Sequence, residues 1–138
     1  MLCWKCQDLG KYDEGLKYGN EALSLSKKIN YHEGTADAYN RVAEIYRLWG
    51  NYSKAMDNHF AALKTSDEYG YENGKARAFK NIGVIYISQG EYQKALENHF
   101  ESIKIYKKIN STFGLGNCYN NIGMIYAVEK NYSEALKY

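Results

Sequence analysis

The sequence contains no proline in its 138 residues, and it has few runs of β-branched side chains. Proline breaks or kinks a helix because it lacks a backbone N–H donor and its ring collides with the preceding turn. β-branched side chains lose rotamer freedom in a helix and favour strands. With both kinds of helix-disfavouring feature scarce, the composition favours helix along nearly the whole chain.

The sequence also lacks a strong excess of charge of one sign and any long apolar run. Its formal net charge is +2 at pH 7, whereas proteins that bind nucleic acid or anionic membranes concentrate Lys and Arg. No stretch approaches the roughly 20 apolar residues that a membrane-spanning helix needs. The beginning, MLCWKCQDLGKYDEG, lacks the basic-then-apolar order of a signal peptide. We therefore expect neither direct binding of nucleic acid nor membrane insertion.

Cysteine is scarce as well, with three in the chain. Cys3 and Cys6 form a C-x-x-C pair, a spacing found in redox sites and zinc sites. A structural zinc site needs four ligands, and the remaining cysteine, Cys118, does not complete a second pair. We therefore expect buried thiols, no metal and no cofactor. Free thiols fit a reducing compartment, which favours the cytoplasm.

Motifs of common catalytic sites are also missing. The sequence has no G-x-S-x-G, no H-E-x-x-H and no glycine-rich phosphate loop. Pairs of acidic residues such as Asp13 and Glu14 are expected to be solvated helix charges. We expect that the protein is not an enzyme.

What the sequence does contain is one segment repeated at a spacing of 40 residues. It reads RVAEIYRLWGNYSKAM at 41–56, NIGVIYISQGEYQKAL at 81–96 and NIGMIYAVEKNYSEAL at 121–136. Apolar residues recur at helical spacing within each copy, and Gly10, Gly50 and Gly90 share one column, at the turn. The pattern predicts helices near 34–49, 52–69, 74–89, 92–109 and 114–129.

Other columns of the repeat indicate how these helices pack. Small residues at Ala43, Gly83 and Gly123 let two helices approach closely, and large tyrosines fill the space beside them. A single helical hairpin cannot bury both of its faces, so neighbouring copies must stack into one continuous core. His59 and His99 occupy equivalent positions, and each is expected to be a buried histidine with a satisfied hydrogen bond.

The segment FKNIGVIYISQGEYQKAL at 79–96 resembles the motif of the tetratricopeptide repeat. That motif has an aromatic residue, then Leu-Gly, Tyr, Gly-x-Tyr and Ala-Leu. The resemblance implies an all-α fold, a right-handed superhelix of about three helical hairpins, in a single domain over 1–138. It implies complete copies at 34–73 and 74–113 and partial copies at 1–33 and 114–138.

The repeat departs from the family in two respects. Its period is 40 residues rather than about 34, and the proline that usually closes each repeat is missing. We therefore expect longer second helices and a longer turn between repeats.

In this family the first helix of each repeat lines a concave face that binds partners. The resemblance places that face on three sets of residues, of mixed charge, basic, and apolar with asparagine respectively. They are Asp37, Asn40, Glu44 and Arg47; then Arg77, Lys80, Val84 and Ile87; then Asn117, Asn120, Met124 and Ala127. Trp4 and Gln7 extend the stripe from the first, partial copy.

Two functions follow from the resemblance. The first is a protein–protein interaction module that binds a peptide or a helical segment of a partner protein in the concave groove. The alternative is a structural or regulatory segment of a larger bacterial signalling protein, such as a sensor kinase or a transcriptional regulator, whose effector domain lies outside this chain. The partial last copy leaves Tyr126, Tyr132, Ala135 and Leu136 short of a neighbouring helix, so we expect self-association through the ends at high concentration.

Overall fold

Six α-helices make up the part of the chain that the structure, a computed structural model, describes. That part is residues 4–129, with side chains described from Gly10 onward. No strand occurs within it, which confirms the all-α prediction, and no helix within it has the length and apolarity needed to cross a membrane. The helices are α1 (Trp4–Lys28), α2 (His32–Leu48), α3 (Tyr52–Glu68), α4 (Glu72–Ser88), α5 (Tyr92–Lys108) and α6 (Thr112–Val128).

Every connector between these helices is three residues long, and its middle residue has a positive φ. Glycine and asparagine are the residues that adopt this left-handed conformation most readily. The N–H of the next residue then donates to a carbonyl five positions back, as from Asn51 to Tyr46 and from Glu91 to Tyr86, both at 2.8 Å. This arrangement is the Schellman end of a helix. The left-handed residues are Asn30, Gly50, Gly70, Gly90 and Asn110.

The expected difference between first and second helices is absent. Helices α2 to α6 all have 17 residues, and the connectors within and between repeats are equally short. The prediction of longer second helices and a longer inter-repeat turn is therefore wrong. The physical reason is that the same left-handed stop signal ends both kinds of helix.

The first helix of each repeat (α2, α4 and α6) begins two residues earlier than predicted. Gly34, Gly74 and Gly114, the predicted starting points, lie inside the first helical turn. A side chain at Gly34 would collide with the ring of Tyr31, and one at Gly114 would collide with the ring of Tyr106. These glycines therefore allow an aromatic ring to pack directly against the helix backbone. They are not part of the connector between the helices.

Helix α1 runs through Gly10 without the turn that its column predicted. At the equivalent turn of the next copy, the Asn51 side chain accepts a hydrogen bond from the Lys54 N–H and caps α3. Lys11 stands at the position of Asn51, and a lysine side chain has no acceptor with which to cap a helix. The chain continues here as one helix of 25 residues. The missing cap is not the whole cause, because the turn before α5 forms although Glu91 makes no side-chain capping hydrogen bond.

The chain divides into two compact units, residues 1–74 and 75–138. In the first unit, α1 packs on α2 through glycine: a Cβ at Gly15 would lie 3.1 Å from Ile45 Cδ1, and one at Gly19 would lie 2.8 Å from Val42 Cγ2. Small side chains also fill the core of this unit. The fully buried alanines there are Ala36, Ala43, Ala55 and Ala62. The prediction of one domain over 1–138 stays a prediction.

The second unit has an apolar core built by α4, α5 and α6. Gly83, predicted as a close-contact position, is buried, and a Cβ there would lie 2.8 Å from His99 Nε2. The thiol of Cys118 is buried, as predicted, 3.4 Å from Ser102 Oγ. The core residues are Ala76, Ala95, Leu96, Ile103, Ile105, Tyr106, Cys118, Ile122 and Ile125.

Candidate partner-binding face

The predicted face lies on the first helix of each repeat, which is α2, α4 or α6. The predicted positions are spaced three or four residues apart, so on each helix they fall on one side. Trp4 and Gln7, the proposed extension, lie outside the described side chains.

Asn40, in α2, was expected on the exposed face, but it is buried, with 2% of its surface exposed. Its Nδ2 donates to the carbonyl of Gly74 at 3.4 Å. Its Oδ1 is then the acceptor for Nδ1 of the buried His59 in α3, at 2.9 Å. The amide is used to join α2 to α3, so it is not presented to a ligand.

Glu44 and Arg47 form an ion pair on the same helix. Arg47 Nη2 lies 3.0 Å from Glu44 Oε2, and Arg47 Nε donates to Oε1 at 3.1 Å. Partial burial alone would raise the pKa of Glu44, but His59 and Arg47 outweigh burial and hold that pKa at about 2. His59 Nε2 lies 3.7 Å from Glu44 Oε1, beyond the usual length of a hydrogen bond.

Asp37, one turn before Asn40, is half-buried and accepts a hydrogen bond from the Tyr71 hydroxyl at 3.1 Å. The charged residues predicted for the face on α2 are therefore already engaged within their own unit. A ligand on this helix would have to share or displace those contacts.

In the second unit, the basic part of the predicted face lies on α4. Arg77, Lys80, Val84 and Ile87 are all half-buried, and the spacing places them on one side of the helix. Burial, and to a smaller extent the positive charge of Lys80, lower the pKa of the nearby His99 to about 4. This helix therefore combines cationic and apolar side chains.

The last part of the predicted face lies on α6. Asn117 is half-buried, Asn120 and Ala127 are exposed, and Met124 keeps 47% of its surface exposed. Helix α6 contains no charged residue along its whole length. It presents an uncharged surface made of amide and apolar side chains.

The two equivalent histidines differ, and this difference was not predicted. His59 has the hydrogen bond that was expected of it, whereas neither ring nitrogen of the buried His99 has a partner among the described residues. The prediction is therefore right for His59 and wrong for His99. The reason is that Lys80 stands where Asn40 stands in the preceding copy. Aligning position 40 with position 80 is the sequence signal that would have revealed it.

No group of three or more His, Cys, Asp or Glu residues between 4 and 129 is arranged to hold a metal ion. The C-x-x-C pair, Cys3 and Cys6, lies outside the described side chains, so the structure does not address it.

Comparison with known proteins gives a family and a set of similar structures. The family model described as tetratricopeptide repeat matches residues 6–68 and 74–138. No curated protein matches the chain.

Three solved structures illustrate the likeness in fold. BtubC from P. vanneervenii is 21% identical, with a TM-score of 0.78 over 93% of this chain and 54% of BtubC. The apo form of RapI is 25% identical, with a TM-score of 0.82 over 93% of this chain and 47% of RapI. MamA is 23% identical, with a TM-score of 0.60 over 91% of this chain and 72% of MamA. The chain thus spans about half the length of BtubC and RapI.

Proposed function

Because this chain belongs to the tetratricopeptide-repeat family, we propose that it is a protein-interaction module whose first helices, α2, α4 and α6, hold a peptide or helical segment of a partner protein. The general role in protein interaction follows from the family. What we propose beyond that role is that the first helices form the binding groove and that particular residues of α4 contact the partner.

The observation that carries the proposal is a contrast between two kinds of position in the repeat. At the packing position Tyr46, the same residue recurs 40 and 80 positions later, as Tyr86 and Tyr126. At the face position Asp37, by contrast, the chain changes to Arg77 and then to Asn117. Packing residues stay the same or similar in size in each copy because the same helices must fit together. The face residues are under no such requirement, and their variety supports a role in recognising a particular ligand.

The chemistry of α4 indicates what kind of segment would fit. Arg77 and Lys80 lie one turn apart, and Val84 and Ile87 follow on the same side. An acidic side chain next to apolar ones would match this order. A cationic contact in a partly desolvated groove contributes about 1–3 kcal/mol, whereas a fully solvated surface charge contributes under about 1 kcal/mol.

The test is a titration of the partner recovered by pull-down from the source organism. The double variant Arg77→Ala/Lys80→Ala is compared with wild type and with Lys104→Ala/Lys107→Ala, which removes two exposed charges from α5. We expect the α4 variant to weaken binding by about 1–3 kcal/mol and the α5 variant to have little effect. Binding by wild type should also weaken with salt, because exposed charges are screened over about 10 Å at 0.1 M.

Two results would contradict the proposal. One is a partner that binds wild type and the α4 variant equally at low and high salt. The other is an equal loss in both double variants, which would reflect net charge alone. Either result would place the partner site away from α4.

A further inference from the structure

A cleft in the first unit has the composition of a site for a positively charged side chain. It has a volume of about 810 Å³, within the range of about 300–1,000 Å³ typical of ligand sites. Its walls come from α1, from the end of α2 and from the start of α3. Its lining includes an acidic, a basic and three aromatic side chains, those of Asp13, Lys54, Tyr46, Trp49 and Tyr52. None of them belongs to the face proposed above.

Aromatic rings form one side of this cleft. Trp49 stacks on Tyr12, with ring centroids 5.9 Å apart and planes 26° apart, so its indole is held in a fixed orientation. Even so, 39% of Trp49 remains exposed. The faces of aromatic rings carry negative potential, so an exposed and fixed indole is suited to contact a cation.

One ring in the cleft already contacts a cation. Lys54 Nζ lies 5.4 Å from the centroid of the Tyr46 ring, within the range of about 6 Å for a cation–π interaction. Among the described residues, no cation lies over Trp49. The indole is therefore the part of the cleft that remains available.

A carboxylate that no described side chain pairs with also lines the cleft. Asp13 is exposed, lines the cleft, and forms no hydrogen bond or ion pair with the described residues. By contrast, Glu44, Glu91 and Glu101 each pair with a cation one helical turn along the chain. Asp13 thus supplies a negative charge to the cleft that Trp49 also lines, and no cation among the described residues 10–129 pairs with it.

We propose that this cleft binds an arginine side chain of a partner protein, with the guanidinium stacked on Trp49 and paired with Asp13. Arginine fits better than lysine because its planar group can stack on a ring and at the same time donate two parallel hydrogen bonds to a carboxylate. Lys54 limits the affinity, since its ammonium lies in the same cleft and repels a second cation.

The experiment is an NMR titration of the full chain with acetyl-arginine-amide. Acetyl-citrulline-amide, which has nearly the same shape but no charge, is the control ligand. With the arginine probe we expect the indole N–H signal of Trp49 and the amide signals of residues 49–54 to shift at millimolar concentrations. The citrulline probe should leave them in place.

Three variants test the named residues. Asp13→Asn should weaken binding of the arginine probe about 2- to 5-fold, the range for one partly exposed ion pair. Glu14→Gln is the matched control, since it removes the same charge one residue along α1, at a residue that does not line the cleft; it should change binding less than about 1.5-fold. Lys54→Gln should strengthen binding about 2- to 5-fold, because it removes the competing cation.

The inference is overturned if citrulline binds as well as arginine, if Asp13→Asn and Glu14→Gln have equal effects, or if the arginine probe shifts signals away from the cleft. Because neither Arg77 nor Lys80 is involved, failure here leaves the proposed function of the α4 face to be decided by its own titration.

Discussion

At the scale of single residues, the buried rings of His59 and His99 show how one repeat position sets the chemistry of another. Asn40 Oδ1 accepts a hydrogen bond from His59 Nδ1 at 2.9 Å, whereas Lys80 places a positive charge near His99. A buried ring near a cation is disfavoured in its protonated form. The second unit therefore contains a histidine whose protonation opposes folding.

The first prediction concerns acid. The pKa of His99 is about 4 in the folded chain and 6.5 for the ordinary side chain. Above pH 6.5 the ring is neutral in both the folded and the unfolded state, so its protonation does not change the free energy of unfolding. As the pH falls from 6.5 to 4, the unfolded chain binds the proton first, so the free energy of unfolding should fall by up to about 3 kcal/mol.

Urea unfolding at a series of pH values would measure this loss. His99→Met removes the titrating group and keeps an apolar side chain of similar size, so its stability should fall less over the same pH range. Glu44 affects the comparison little, because its stabilising contribution is lost as the pH falls from its ordinary pKa of 4.5 towards its folded pKa of about 2, mostly below the range in which His99 acts. A variant whose stability falls as steeply as that of wild type would show that other groups cause the acid sensitivity.

The second prediction compares two glycines of the second unit. Gly83→Ala should destabilise by about 1–3 kcal/mol, because the new Cβ would lie 2.8 Å from the buried ring of His99. Gly116→Ala in α6 should stabilise by about 0.5–1 kcal/mol, because that site is exposed and no atom lies within 4 Å of the new Cβ. Chemical denaturation of both variants would check the opposite signs; two changes of the same sign would contradict the packing of α4 against α5.

At the scale of helices, the ends are set by a left-handed residue that recurs every 20 positions between 30 and 110. Each such residue closes one helix, and the next helix begins two residues later. Length is therefore decided locally, and tertiary packing decides only which face of each helix is buried. Gly10 is the instructive exception, because it occupies the same column and yet lies within α1.

The third prediction tests that exception. Gly90→Ala should destabilise by about 1–2 kcal/mol, because φ is +74° there and a Cβ strains the left-handed conformation. Gly10→Ala should stabilise by about 0.5–1 kcal/mol, because the site is exposed and helical with open space around it. Thermal melts followed by circular dichroism would distinguish them. Destabilisation by Gly10→Ala would mean that the chain turns at that residue after all.

The repeat period was enough to predict the helices from α2 to α6 to within two residues, because the stop signals are local. The sequence did not reveal the burial of Asn40, because an amide at a face position looks like an exposed contact until its partner His59 is placed against it. Nor did it reveal the cleft beside Trp49, since Asp13 and Trp49 come together only through the packing of α1 on α2. Polar pairings across helices depend on distances that spacing alone does not give.

At the scale of the whole molecule, α6 is the helix most suited to association. It has no charged residue, and Phe113, Met124 and Val128 are 82%, 47% and 55% exposed. Exposed apolar surfaces of this kind tend to become interfaces. Of the residues named in the predicted association, Tyr126 is half-buried in α6, and Tyr132, Ala135 and Leu136 lie outside the described part of the chain.

The fourth prediction is that the protein self-associates as its concentration approaches the millimolar range. Met124→Lys should reduce association, because a charge on α6 would have to be desolvated in the interface. Phe60→Lys is the matched control: it changes a similarly exposed apolar residue of α3 and should leave association unchanged. Sedimentation velocity would measure both. A wild-type protein that stays monomeric at millimolar concentration would rule out the association.

The equal spacing of the left-handed residues also has a consequence for the gene. Copies that are alike in sequence can recombine out of register, and each such event would add or remove forty codons, the length of one repeat. The new junction would join a helix to its usual successor through the usual three-residue connector, so the product would still fold. A change of twenty codons would also keep the connectors. It would, however, place a first helix where a second helix is needed, and the histidine that packs against Gly83 would be missing. Length variation among descendants of this gene is therefore expected in whole repeats and not in single helices.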